Sequence, residues 1–244
     1  MTTRYRPKAT THVLDNPVWA ALNGPQAHLG EVRGRAARFH PDIAGFATLR
    51  AEPDRRAWAD LGELAGPGAE VALPGVTSAP PSGWQVIFTI PGVQLVDTGL
   101  RAERDVEAVP LGPADVPEML DLVARTAPGP FRKRTIEFGT YLGIHRDGQL
   151  VAMAGERLHP PGWTEISAVC TDPNHRGQGL ATRLVRAVAA GIRARGETPF
   201  LHTTADNFAA IRLYEHIGFT LRRTTSFRAV RIPGAPPAGQ AADP

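Results

Sequence analysis

The 244-residue sequence contains a single cysteine, Cys170. One thiol excludes an internal disulfide framework and a cysteine-rich zinc site, and it points to a reducing cytoplasm. No apolar run reaches the roughly 18 residues that a transmembrane helix needs. The opening stretch, MTTRYRPKATTHV, has no apolar core behind its basic residues, which speaks against a secretory signal. Lysine is almost absent: arginine outnumbers it 25 to 2. The longest basic run is Arg132-Lys133-Arg134, short of the tract of about 5–8 residues that marks a nucleic-acid surface. No nucleic acid and no membrane are therefore expected as partners. No internal repeat is visible.

The composition is otherwise ordinary for a globular protein, at 42% hydrophobic and 21% charged, which suffices to bury a real core. Residues 1–105 carry 11 basic and 11 acidic side chains, and residues 106–244 carry 16 and 13, so the whole positive excess lies in the second part. That excess hints at an anionic ligand there. A break is expected near residues 98–108. The sequence thus divides into an N-terminal α/β domain of unknown role (1–105), a second domain (106–232) and a disordered Pro/Ala/Gly-rich tail (233–244).

In the first part, Ala57 to Leu64 reads as a short helix. Two apolar runs, Val86–Ile90 and Val93–Val96, read as strands on either side of Pro91-Gly92. His12, His28 and His40 are too dispersed for a metal site, and no metal is expected. The second part is clearer. Val106–Pro110 reads as a strand. Asp115 with Glu118 resembles a capping box ahead of a helix whose face carries Val116, Met119, Leu120 and Val123. Tyr141–His145 and Leu150–Ala154 flank Asp147-Gly148, a favoured hairpin dipeptide. Trp163–Thr171 is a further strand. Leu180, Leu184, Val188 and Ile192 then recur every fourth residue, opposite Arg183, Arg186 and Arg193, and Gly196 stops that helix. Pro199–Thr203 reads as a strand, Asn207 caps a helix to about His216, and Phe219 opens a last strand reaching about Val230.

The sharpest feature is the loop Asp172-Pro173-Asn174-His175-Arg176-Gly177-Gln178-Gly179-Leu180-Ala181-Thr182, set between a strand and the long helix. Glycines at 177 and 179 let backbone N–H groups converge on phosphate oxygens. The helix dipole adds about half a positive charge at that point, and Arg176 supplies more. A Rossmann fingerprint would need glycine or alanine where Thr182 stands, and a P-loop would need a Gly-Lys-Ser/Thr that is missing.

Arg176-Gly177-Gln178-Gly179-Leu180-Ala181 fits the pyrophosphate motif of the GNAT superfamily of acyl-CoA-dependent N-acyltransferases, and Asn207 to Phe219 fits a second feature of that family. Over about residues 105–231 the sequence resembles this superfamily, with a pattern similar to its glycine N-acyltransferase-like branch. The resemblance implies an α/β fold with a mixed, centrally splayed sheet flanked by helices. Residues 1–105 carry neither motif and would be a smaller α/β domain, read as a degenerate copy of part of the same fold. It also implies acetyl-CoA as acyl donor and an unidentified primary amine as acceptor, joined by direct attack in a ternary complex, with a homodimer as the candidate assembly.

By that resemblance, Val169, Cys170 and Thr171 would pair with the pantetheine arm. Arg176, Gly177, Gln178, Gly179, Leu180, Ala181 and Thr182 would hold the pyrophosphate. Asn207 and Tyr214 would lie along the pantetheine. Tyr214 would act as the general acid that protonates the CoA thiolate. Glu165 matches a catalytic glutamate of some members and is the candidate general base, with Glu156 and a water chain as rivals. Cys170 reads as a buried small hydrophobe and not as a nucleophile. Arg132, Lys133 and Arg134 fall where the family places its acceptor-binding segment, and a carboxylate on the acceptor would suit them. A CoA-binding domain without catalysis, serving as sensor or interaction module, is the alternative from another class.

Overall fold

The computed structural model describes residues 12–50 and 53–234. The opening stretch through residue 11 and the tail from residue 235 lie outside the described residues, and with them most of the expected disordered tail.

The chain first builds a small unit. Helix α1 (Pro17–Leu22) is capped by Asn16, whose side chain accepts the Trp19 N–H. Strands β1 (Gly30–Arg33), β2 (Ala36–Phe39) and β3 (Ala47–Leu49) form an antiparallel three-stranded sheet. Helix α2 (Arg55–Ala65) starts at Asp54, whose carboxylate accepts the Ala57 N–H, and it buries Ala57, Trp58 and Leu61. Losing such a cap costs about 1 kcal/mol.

The second sheet has eight strands: β4 (Glu70–Ala72), β5 (Gln85–Asp97), β6 (Val109–Leu111), β7 (Tyr141–Arg146), β8 (Gln149–Glu156), β9 (Trp163–Thr171), β10 (Thr198–Thr204) and β11 (Phe219–Arg231). Their spatial order is β4-β11-β5-β10-β9-β8-β7-β6. Only β9 and β10 run parallel, and every other pairing is antiparallel. The sheet is therefore mixed, as expected.

Helices α3 (Val116–Thr126), α4 (Leu180–Ala194) and α5 (Phe208–His216) complete the fold. The fourfold recurrence along α4 does what the pattern predicts. Leu180, Leu184, Val185, Val188 and Ile192 are buried, packed with Ile144, Val151, Leu201 and Phe219. Five such side chains at about 2 kcal/mol each dominate this side of the sheet. Arg183 and Arg193 stay outside, where they pair with Asp105 and Asp97. The small N-terminal unit covers the opposite face. Phe200 packs with Leu14, Phe39 and Phe46 there, while its neighbour Leu201 belongs to the α4 side.

Three expectations are corrected. The apolar runs around Pro91 are one strand, β5, and not two. Pro91 stays within the strand opposite Ser226 of β11, and its carbonyl accepts the Ala205 N–H at 2.9 Å just past the end of β10. Asp115 does not cap α3; its Oδ2 accepts the Gly112 N–H at 2.7 Å, which tightens the preceding turn. A cut at residue 105 does not follow the sheet either. β4 and β5 precede it, and Val93 and Leu95 of β5 sit in the same core as α4. Among the described residues no helix is long and apolar enough to cross a membrane.

Candidate active site

β9 and β10 pair only from Trp163–Thr198 to Glu165–Phe200 and then part. Two local features drive them apart. Ala168 takes φ +53°, a strained angle for a residue with a Cβ, and the β8–β9 register shifts between Met153 and Gly155. The wedge between the strands opens into a cavity of about 930 Å³.

One end of the cavity is the glycine loop. Asp172 shapes it: Oδ1 accepts the Asn174 N–H at 3.0 Å, and Oδ2 accepts Arg125 Nε at 2.8 Å. Those two bonds hold the Asp172 carboxyl below its ordinary range. Gly177 and Gly179 have φ +78° and +73°, and a Cβ on either would meet no protein atom within 4 Å. The loop therefore leaves free space at the N-terminus of α4, where a phosphate fits. Arg176 is exposed beside it. Thr171 adds a buried hydroxyl with no partner among the described residues.

The sequence motifs converge on this cavity. Glu165, Val169, Cys170, Thr171, Arg176, Gly177, Gly179, Leu180, Ala181, Thr182, Asn207 and Tyr214 all line it. Gln178 does not, and it is exposed. Asn207 caps α5, with Oδ1 accepting the Ala210 N–H at 3.1 Å. Tyr214 is largely buried on α5, with its ring edge-on to Phe219. Burial pushes its hydroxyl up to about 12, so it keeps its proton and stays a donor. Cys170 is buried and its thiol is pushed up to about 11 by burial, which is unlike an activated nucleophile.

Glu165 stands on the expected strand, but its surroundings differ from those of a free base. It is fully buried. Arg157 donates from Nε and Nη2 at 2.8 and 2.6 Å, and His202 Nδ1 lies 2.6 Å from Oε1. Burial alone would raise its pKa; the Arg157 charge and the bonds from Arg157 and His202 outweigh that and hold it down at about 2. Both oxygens already accept hydrogen bonds, and the Arg157 charge holds the carboxyl low, which makes Glu165 a weak proton acceptor in this geometry. Glu156 is no substitute. It is buried away from the cavity, paired with Arg195 at 2.9 Å and accepting the Thr140 N–H. The Arg132–Arg134 run also stays outside: Arg132 binds the Pro41 carbonyl, and Arg134 pairs with Glu137.

The other end of the cavity was not legible in the sequence. Gln94, His202, Arg223 and Phe227 face it from the sheet, and Leu14, Asp15 and Phe46 face it from the N-terminal unit. Alternation along β10 puts His202 on the Phe200 side, which is the one local signal that pointed there. Among the described residues no group of three or more His, Cys, Asp or Glu side chains could hold a metal ion.

A family model for FR47-like proteins matches residues 141–228. A structure assigned to the GNAT family of acetyltransferases, from Novosphingobium aromaticivorans, is 41% identical with a TM-score of 0.84, and the match covers 93% of this chain and 100% of that one. The N-alpha-acetyltransferase RimI of Mycobacterium tuberculosis is 38% identical over 101 residues, which is 39% of this chain and 60% of that protein. The mycothiol acetyltransferase of Mycobacterium avium is 35% identical over 85 residues, 31% of this chain and 27% of that protein. The chain thus spans under two thirds of the length of the curated relatives it matches.

Proposed function

Because this chain belongs to the GNAT family of acetyltransferases, we propose that it transfers an acetyl group from acetyl-CoA to a primary amine, by direct attack of the amine within a ternary complex. The observation that carries this reading is a single cavity that joins a phosphate-type loop, a splayed strand pair and the Tyr214 side chain.

The residues present fit a pyrophosphate and a pantetheine arm. Backbone N–H groups from Arg176 to Thr182 hold the phosphates, helped by Arg176 and the α4 dipole. Gln178 contributes through its backbone only. Val169, Cys170 and Thr171 offer the edge of β9 where it leaves β10, and Asn207 and Tyr214 lie along the same path on α5. Tyr214 gives its proton to the thiolate as the C–S bond breaks, a role worth about 10²–10⁴-fold. The amine enters from the end walled by β5, β10, β11 and the N-terminal unit, so residues before 105 shape acceptor choice. The loop and α5 patterns favour the glycine N-acyltransferase-like branch. The unpaired thiol fits a reducing cytoplasm. A homodimer is the assembly we infer, with Val86 and Ile87 of β5 as exposed apolar side chains outside the cavity.

The test is release of free thiol from acetyl-CoA with a panel of amines, with products read by mass spectrometry. Amine-dependent thiol release with an acetylated product is expected. Tight acetyl-CoA binding with no transfer to any amine would replace this reading with a non-catalytic CoA-binding module.

A further inference from the structure

Two strands build a shelf at the acceptor end of the cavity. Ile90 of β5 lies opposite Phe227 of β11, Gly92 opposite Thr225, and Gln94 opposite Arg223. Alternation puts these positions, with Phe88 beyond them, on one face of the sheet. Phe88, Ile90, Arg223, Thr225 and Phe227 all line the cavity. A Cβ at Gly92 would collide with the Phe227 ring, so the glycine leaves room for that ring, which meets His202 edge-on. Phe88 is 43% exposed and Ile90 38%. Large apolar side chains that stay exposed within a cavity mark a surface that the apolar part of a ligand covers.

Charge at this end of the cavity is unbalanced. Arg157 is matched by Glu165. Asp15, by contrast, is shared: its Oδ1 accepts Arg222 Nη2 at 2.6 Å and Arg223 Nη1 at 2.9 Å. One carboxylate between two guanidinium groups leaves one positive charge uncompensated. Arg223 Nη2 makes no hydrogen bond among the described residues, and the side chain is 42% exposed. Arg228, also at the cavity, donates to the Ser78 carbonyl at 2.6 Å and meets no carboxylate among the described residues. We propose that the acceptor is a primary amine with an apolar body and a carboxylate, the body covering Phe88, Ile90 and Phe227 and the carboxylate bound by Arg223. This rests on the acetyl-transfer reading above and names the class of amine. A guanidinium with a free N–H edge is a fitting partner for a carboxylate. Arg223 and Phe227 are four residues apart on one strand, roughly 13 Å, and side chains of their length bring both within reach of one small molecule. A polycationic amine would meet the surplus positive charge and be repelled.

The test is calorimetric binding of amines to the CoA-saturated protein, where no acetyl group can move. The probes are L-phenylalanine and 4-(aminomethyl)benzoate, their carboxylate-free counterparts phenethylamine and benzylamine, and glycine and spermidine. At least one of the two acids should bind about tenfold or more tighter than its counterpart, glycine and spermidine. Arg223→Gln should cost that acid about tenfold, the low end for a hydrogen bond to a charged group because Arg223 is partly exposed, and should change the counterpart little. Phe88→Thr and Ile90→Thr keep residues suited to an exposed strand. Each should weaken the acid by about tenfold, as loss of apolar contact in a pocket does, with acetyl-CoA affinity unchanged. The proposal is overturned if neither acid outbinds its counterpart, if Arg223→Gln weakens acid and counterpart alike, or if the threonine variants bind the acid as the wild type does. It is also overturned if the threonine variants lose affinity for octanoyl-CoA and not for the acid, since the shelf would then hold an acyl chain. Thiol release from acetyl-CoA by the wild type with the same amines tests acetyl transfer separately, so binding without transfer would retract that reading and leave the amine class standing.

Discussion

Gly179 allows the phosphate loop to be perturbed with its own internal control. It precedes α4 at φ +73°, and a Cβ there would touch no protein atom within 4 Å. Since Gly179 lines the cavity, an alanine methyl would occupy ligand space alone. The backbone angle is a separate cost, roughly 1–2 kcal/mol for a left-handed residue other than glycine. In a chain of this size each 1 kcal/mol lowers Tm by roughly 2–4 °C. Gly196 separates the two effects. It lies beyond the last turn of α4 at φ +78°, its surroundings are equally open, and it does not line the cavity. Gly179→Ala and Gly196→Ala should therefore lose the same few degrees of Tm. Only Gly179→Ala should lose acetyl-CoA affinity. Displacing one charge-assisted N–H···O bond costs roughly 1.5–3 kcal/mol, which raises Kd by roughly 10- to 150-fold. Thermal unfolding and calorimetric titration of the two variants beside the wild type measure both quantities. If Gly179→Ala binds acetyl-CoA as tightly as Gly196→Ala, the loop does not hold the pyrophosphate.

Three further outcomes are expected. Tyr214→Phe keeps the ring against Phe219 and removes only the hydroxyl; the single-turnover rate should fall by about 10²-fold with little change in KM for acetyl-CoA, and full single-turnover activity would leave Tyr214 as a packing residue. Glu165 has its pKa lowered from 4.5 to about 2 in the folded chain. Its contribution is thus fully present above the unfolded value and is lost as the pH falls from about 4.5 through about 2, a loss of roughly 3 kcal/mol at 1.36 kcal/mol per pH unit. Urea unfolding across that acid range measures it, and an unchanged midpoint would contradict the buried ion pair. Cys170, with its thiol raised to about 11, should resist a thiol-specific disulfide reagent at neutral pH until the chain is unfolded in denaturant. Stoichiometric labelling of the folded protein within seconds would refute that.

Helices and loops with local signatures could be read directly from the residues. The fourfold apolar recurrence along α4, the Asn207 cap of α5, the Asp147-Gly148 hairpin and the two glycines at 177 and 179 depend on neighbours a few residues apart. The cofactor side of the cavity was legible for the same reason, because one loop and two adjoining elements build it. The misreadings share the opposite property. Pro91-Gly92 carries the chemistry of a break, yet it lies within a strand because β11 pairs with β5 across it. Glu156 and Glu165 look alike in sequence, but one pairs with Arg195 outside the cavity and the other with Arg157 and His202 inside it.

The acceptor side joins residues that are remote along the chain. Gln94 and His202 are 108 positions apart, and Arg222 and Asp15 are 207 apart. By itself the sequence determined helices α2 to α5, the hairpin and the phosphate loop, since periodicity and turn chemistry are short-range. The tertiary structure alone decided which face of the sheet the N-terminal unit covers and which buried charges meet there. Ion pairs and proton positions depend on strand register and burial, and no local pattern of residues encodes either.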